Sequence, residues 1–247
     1  MRFEHNHNFF KFRILEVYFE SMDDPIPQGL DIVKFIQCAP GEPKSKNFIT
    51  NIIFLTQDLD TIKSNFKKTL RYDVNKAYRH TFQYREVQDT AEVKDLQNKL
   101  DVFLKSRKLP ISNKKKISDF VARGFTYISV LQDIDTGLSN YHFYIRDDGS
   151  RRARLWYSFG DEFTDASYDL NKVHIFEDLA FFKAAGMSIF DLGGVSSVTN
   201  PSGIDKFKLA YSGDIDHSFT GSVGTSLRGR ILLAIYNTVS KYRFALS

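Results

Sequence analysis

A single cysteine, Cys38, stands in 247 residues. No internal disulfide framework and no cysteine-rich zinc site can form, and a reducing compartment suits the chain. Tryptophan occurs once and methionine three times. No stretch reaches the ~18 uninterrupted apolar residues of a membrane-spanning helix. The N-terminus, MRFEHNHNFF, sets Glu4, His5 and His7 among apolar residues and does not read as a signal peptide. Charge of one sign is also scarce: 34 Lys+Arg against 30 Asp+Glu leave a formal +4. Such a balance excludes a nucleic-acid-coating protein and leaves room only for a local basic patch. There is no internal repeat, no P-loop, no Gly-x-Gly-x-x-Gly and no Gly-x-Ser-x-Gly elbow. A soluble cytoplasmic protein is the expectation.

What the chain does have is phenylalanine and tyrosine, 23 and 12 of them, enough for a large aromatic core without any cofactor. Residues 9–19 alternate Phe10, Phe12 and Ile14 with Lys11 and Arg13 and predict a strand. Residues 21–46, holding Pro25, Pro27, Pro40 and Pro43, predict an irregular loop. A β-branched run at 48–56 predicts a buried strand. From about Asp60 to Arg79, Ile62, Phe66, Leu70, Val74 and Tyr78 recur every four residues and predict one helix. A strand at 82–87 follows, then a helix behind the capping pair Asp89/Glu92, carrying Val93, Leu96, Leu100 and Phe103. A short helix through Lys114 and Phe120 should stop at Gly124.

Three strands, 125–132, 138–146 and 151–159, are joined by Asp/Gly turns that signal hairpins. Next come a helix from about Tyr168 to Ala185 with Gly186 as its stop, a strand 188–192, a helix around Lys206 and a strand near 215–220. The tail, 226–243, predicts a helix with Leu227, Ile231, Ile235 and Val239 on one side. The order is that of an α+β protein with a mixed central β-sheet flanked by helices.

Three segments carry a resemblance. They are the basic helix SNFKKTLRYDVNKAYR, the strand FDLGGV behind the helix NKVHIFEDLAFFKAAGMS, and GIDKFKLAYSGDI. Together they resemble the FemAB-like branch of the GNAT acyltransferase superfamily, in its short single-domain form, over roughly residues 48–220. The resemblance implies an N-terminal extension, 1–46, packed on a GNAT-like acyltransferase domain, 47–247. It also implies an N-acyltransferase acting on the amine of a nucleotide- or lipid-linked amino sugar in cell-surface polysaccharide synthesis. The alternatives are aminoacyl-tRNA-dependent transfer to a peptidoglycan precursor, or a catalytically silent binding module.

Acyl transfer to an amine needs an activated carbonyl and a donor facing the developing oxyanion. The resemblance gives that place to Lys208, with Phe207 positioning the acyl donor and Trp156 as a further donor-binding side chain. Gly193 and Gly194 would admit the acyl chain, since glycine allows close backbone approach. Asp191 is either a base or amine-binding group in that cleft or a strand-end cap for backbone amides. His142 and His174 are further candidate bases, with Glu177 and Asp178 beside the latter. Lys63, Lys67, Arg71 and Arg79 form a cationic stripe suited to phosphate, with Arg71 foremost because a guanidinium binds phosphate bidentately. A solvated helix face is the plain alternative.

Six scattered histidines without a cluster at ligand spacing predict no metal. The donor is expected to be acyl-CoA. The connection SFGDEFTDASYD, however, offers one glycine and the acidic residues Asp161, Glu162, Asp165 and Asp169 where CoA enzymes of this fold cradle pyrophosphate. An acyl carrier protein or aminoacyl-tRNA is the other expectation. No DNA partner is expected, and the tail, with Arg228, Arg230, Lys241 and Arg243 beside its apolar stripe, fits a core or dimer helix first and a peripheral membrane contact as the alternative.

Overall fold

The computed structural model describes residues 1–6, 12–39, 46–161 and 165–235, the side chains of 165–169 excepted. Two compact units are present: residues 1–50 with 216–247, and residues 51–215.

In the first unit, β1 (Arg2–Asn6) runs antiparallel to β2 (Arg13–Tyr18), which lies parallel to β3 (Ile32–Cys38). The strand expected over 9–19 is therefore β2, with residues 7–11 outside the described part. β3 corrects the loop expected for 21–46. Its run IVKFIQC lies between Pro27 and Pro40 and buries Ile32, Val33, Phe35 and Cys38, so the prolines bound a strand instead of marking one long loop. The first half of β4 (Lys46–Phe54) and most of β10 (Asp214–Gly224) also belong here.

Residues 227–235 are helical, but the expected stripe faces outward: Leu227, Ile231 and Ile235 are exposed. Leu232 and Leu233 instead pack on Phe12, Ile14 and Ile32. The rotation of the segment is set by buried Asp31. Its carboxylate accepts from Arg228 Nη2 at 2.7 Å, Ser226 Oγ at 2.6 Å and the Arg13 amide at 3.0 Å. The Arg228 guanidinium holds that carboxyl well below the usual range. Gly229 is obligatory, because a Cβ there would lie 1.8 Å from the Asp31 carbonyl oxygen. Val239 and the basic residues Lys241 and Arg243 of the expected tail helix lie outside the described residues.

The second unit holds the remaining elements. The single helix expected over 60–79 is two: α1 (Leu59–Asn65) and α2 (Lys68–Ala77). Phe66 and Lys67 between them are extended, with ψ of 150° and 144°. The cause is tertiary. The Phe66 ring is buried edge-on against Tyr211, with centroids 5.1 Å apart, and the Lys67 amide donates to the Ala210 carbonyl at 2.8 Å instead of to a helical turn.

Then follow β5 (Phe82–Glu86), α3 (Thr90–Ser106), capped by Asp89 on the Glu92 amide, and α4 (Lys114–Ala122), ended by left-handed Gly124. The meander is β6 (Thr126–Asp133), β7 (Ser139–Asp147) and β8 (Arg152–Gly160). α5 (Asp165–Ala184), β9 (Ile189–Gly194), α6 (Gly203–Leu209) and β10 (Asp214–Gly224) complete the chain, β10 passing into the first unit.

Within the second unit the strand order is β4-β9-β8-β7-β6-β5, antiparallel from β8 to β5 and parallel between β8 and β9. Strand alternation sends Tyr127 and Tyr144 to one face, under α5, α1 and α2, and Ile128, Val130 and Phe143 to the other, under α3 and α4. The α+β class with a mixed sheet is as expected. No helix among the described residues is long and apolar enough to cross a membrane.

Candidate active site

β8 and β9 are hydrogen-bonded over only three residue pairs, ending at Arg154 opposite Asp191. Past that point each strand runs on. Two residues further along β8, Trp156 is the extra residue of a β-bulge: Phe143 opposes Tyr157 and Tyr144 opposes Leu155. Bulges re-aim side chains and end pairing, and they recur beside functional sites. Trp156 packs tilted on Phe120, centroids 5.6 Å apart, with the Lys116 ammonium over its ring.

The end of β9 is built around Asp191, which is wholly buried. Its Oδ2 accepts from Arg152 Nη2 at 2.6 Å and Nε at 3.0 Å, while Oδ1 accepts from the Gly193 amide at 2.7 Å. Of its two expected roles, the carboxylate thus performs backbone capping and adds a buried ion pair. Gly193 has φ +77°, and a Cβ on it would sit 3.0 Å from the Leu155 carbonyl oxygen and 3.6 Å from Lys208 Nζ. Glycine is needed there on both counts.

Lys208 rises from α6. A capping box of Ser202 and Asp205 starts this short helix, and buried Asp205 also accepts from the Ser196 amide and hydroxyl, tying α6 to the segment after β9. The Ser196 hydroxyl bond holds the Asp205 carboxyl well below its ordinary range. Asn51 Nδ2 fixes the Lys208 carbonyl at 2.6 Å. Lys208 Nζ donates to the Gly194 carbonyl at 2.6 Å. Burial pushes its pKa down to about 8; the Asp191 carboxylate works against that shift and the Arg154 cation with it. Phe207 packs on the core edge-on to Tyr211.

Lys208, Asp191, Gly193 and Gly194, predicted from 14 to 17 residues apart, therefore meet at one spot. Arg152 and Arg154 join them and were missed. The signal available was their i, i+2 spacing on a strand, which puts both on one face.

The other candidates lie elsewhere. His142 and His174 are fully buried and stacked, with ring centroids 3.8 Å apart and planes 8° from parallel. Their centre is Asp178, which lies 2.6 Å from His142 Nδ1 and accepts from Tyr144 at 2.6 Å and Tyr84 at 2.9 Å. Burial alone would raise the Asp178 pKa. The imidazole and hydroxyl donors, with the neighbouring His174 ring, outweigh it and hold the carboxyl at about 2. Burial, with the His142 ring beside it, pushes the His174 imidazole well down.

The remaining ring nitrogens face Asn171, Asn140 and Ser129. His142, His174 and Asp178 thus bring three ligand-type atoms within 4.8 Å, a cluster that chain spacing does not disclose. Every one of those atoms is already engaged in the hydrogen-bond network. Glu177, next along, accepts from the Tyr78 hydroxyl.

The cationic stripe is divided by the break between α1 and α2. Arg71 Nη1 donates to the Phe66 carbonyl at 2.6 Å and also to that of Ser64, closing the end of α1. Lys67 is the exposed residue before α2, Arg79 is exposed beyond its end, and Lys63 lies over the Tyr78 and Phe176 rings. In the acidic connection, Asp161 accepts from Lys99 and Tyr141. Glu162 lies outside the described residues, as do the side chains of Asp165 and Asp169.

No protein-family model matches the chain, and no curated protein matches it by sequence. Solved structures do match. FemX superposes with a TM-score of 0.63 at 8% identity, over 89% of this chain and 83% of its own. The C-terminal domain of a protein assigned as a lysylphosphatidylglycerol synthetase from Agrobacterium fabrum gives 0.56 at 15% identity, over 90% and 81%. L-PGS from Bacillus licheniformis gives 0.55 at 15% identity, again over 90% and 81%. The likeness is one of fold: the chain has the FemAB/GNAT-like α+β fold of these proteins.

Proposed function

We propose that this chain is an acyltransferase that moves an acyl or aminoacyl group from an activated ester or thioester to an amine. The observation that carries the reading is the meeting of Lys208, Gly193 and Gly194 where the β8–β9 ladder ends. In the reaction the amine nitrogen attacks the carbonyl carbon, and the bond to the leaving sulfur or oxygen breaks. The amine's proton leaves with that group. The Lys208 ammonium, which has donors beyond the one spent on Gly194, faces the oxygen as negative charge builds. Phe207 and Trp156 contribute apolar surface for the donor, and Arg152 and Arg154 keep the neighbourhood electropositive. Asp191 acts by holding Arg152 and the Gly193 turn in place.

The acceptor of this reading is a nucleotide- or lipid-linked amino sugar in the cytoplasm, and the donor acyl-CoA or an acyl carrier protein. That acceptor rests on the sequence resemblance to short relatives. A second reading, aminoacyl-tRNA as donor, draws support from the fold shared with FemX and with a lysylphosphatidylglycerol synthetase domain. The deciding experiment runs labelled acyl-CoA and labelled aminoacyl-tRNA in parallel against a panel of amines, with wild type and Lys208→Met. Loss of about a hundredfold in turnover on losing one oxyanion donor is expected for the true donor. Unchanged turnover in Lys208→Met would refute the assigned role. No transfer from either donor class would leave a binding module.

A further inference from the structure

Two connections of the second unit meet beside β5, the strand that ends its sheet. One leads from α2 into β5 and carries His80; the other leads from the end of β6 to β7 and carries Asp133 and Asp135. Strand register brings them together: Phe82 pairs with Asp133, and the Ile134 amide donates to the Thr81 carbonyl at 2.9 Å. His80 Nδ1 then lies 3.1 Å from Asp133 Oδ2 and 3.8 Å from Asp135 Oδ2. One ligand-type atom from each of the three side chains falls within 4.8 Å of the others. None of the three belongs to the residues assigned to acyl transfer. Chain spacing predicts no metal because His80 and the two aspartates are far apart in sequence.

Each side chain is aimed by its surroundings. Asp133 is buried, and its Oδ1 accepts from the Asp135 and Thr136 amides at 2.9 and 3.2 Å, which leaves Oδ2 to the imidazole. Asp135 Oδ2 accepts from the Thr81 amide at 3.0 Å and keeps a second lone pair. The His80 ring lies nearly parallel to Phe82, with planes 18° apart and centroids 6.4 Å apart. Carboxylates fixed by backbone amides and an oriented imidazole are how metal sites keep their ligands in place. Two ligands about 2.1 Å from one zinc ion stand roughly 3–4 Å apart at angles of about 90–130°. His80 Nδ1 keeps that spacing from both carboxylate oxygens. An imidazole nitrogen beside two carboxylate oxygens suits zinc and its neighbours, whereas magnesium and calcium take oxygen ligands. We infer that His80, Asp133 and Asp135 bind a divalent transition-metal ion of the zinc type, with water completing its shell. The bound ion clips the α2–β5 connection to the β6–β7 turn. The inference is independent of the transfer reaction.

The probe is zinc chloride, titrated by calorimetry into the full chain after chelator treatment, with magnesium chloride for comparison and backbone amide NMR to locate the site. Zinc should bind saturably and shift the resonances of residues 79–82 and 133–137; magnesium at the same concentrations should not. Zinc should also raise the thermal midpoint, because a ligand of the folded state stabilises it by mass action. His80→Ala alters an exposed side chain, and Asp135→Asn keeps an oxygen for the Thr81 amide, so both variants should fold as wild type does. Each should weaken zinc binding about a hundredfold, since even the groups that only orient a ligand are worth about 10–100-fold. Absence of saturable zinc binding would leave a plain ion pair of His80 with the carboxylates and overturn the inference. Shifts centred elsewhere, magnesium binding as tight as zinc, or zinc affinity that survives either substitution would overturn it equally.

Discussion

Replacing Lys208 by Met tests the electrostatics of the candidate site without any substrate. In the unfolded chain the ammonium keeps its proton up to about 10.5, whereas in the fold burial brings its pKa to about 8. Between those values the unfolded state binds more protons than the folded one, so the lysine's contribution to stability rises with pH. Below pH 8 the fold bears the full cost of holding a desolvated ammonium, and that cost fades toward pH 10.5. The gap corresponds to about 3 kcal/mol at roughly 1.4 kcal/mol per pH unit. Because Lys208 is only partly buried, solvent screening brings the expected effect to about 2 kcal/mol.

The Met variant also loses the bond to the Gly194 carbonyl, but that loss does not vary with pH. The assay is therefore urea unfolding of both proteins at several values from about pH 7 to about pH 10, in the linear-extrapolation regime. Other titrating groups are common to the two chains and cancel in the difference. Wild type should gain about 2 kcal/mol on Lys208→Met across the range. A difference that stays flat, or that moves toward the variant, refutes the desolvated-lysine argument and with it the site's electrostatics.

Three further outcomes follow from the same contacts. Tyr144→Phe should cost about 2 kcal/mol in urea unfolding by removing a donor to the buried Asp178 carboxylate. That cost should be full above about pH 4 and shrink as pH falls through about 2, where the carboxyl takes up its proton. Gly193→Ala should lose about 2 kcal/mol and most of any transfer activity, since the left-handed turn and the Leu155 carbonyl both oppose a Cβ; near-wild-type stability would contradict it. Gly229→Ala should expose the first unit to limited proteolysis, because the added methyl overlaps the Asp31 carbonyl. Unchanged cleavage at residues 1–39 would count against that packing.

Much of the fold was legible along the chain because local patterns and tertiary packing agree there. The meander announced itself through alternation and Asp/Gly turns, α3 through its Asp89 cap, and α4 and α5 through the glycines that end them. Where local signals conflicted, they misled. Proline density hid β3, whose apolar run is bounded by prolines. The four-residue period across 60–79 hid the break at Phe66, which exists only because that ring is drawn into the Tyr211 contact. The tail's outward stripe has the same origin: Arg228 on Asp31 and Leu232 on Ile14 set the rotation that periodicity left open.

Along the one-dimensional chain, then, are written the composition and the class of fold, which depend on periodicity, turn chemistry and residue type, all acting over a few residues. Lys208 and the Gly193–Gly194 pair are singled out by the resemblance of their segments to the FemAB-like branch. What lies across long separations was decided by packing alone: the pairing of Arg152 with Asp191, the His142–His174–Asp178 network between β7 and α5, the turning of Arg71 onto a helix end, and the meeting of His80 with Asp133 and Asp135. Side chains dozens of residues apart have no shared pattern to betray them. Their contact depends on strand register and helix rotation, which are chosen by what the whole core can bury.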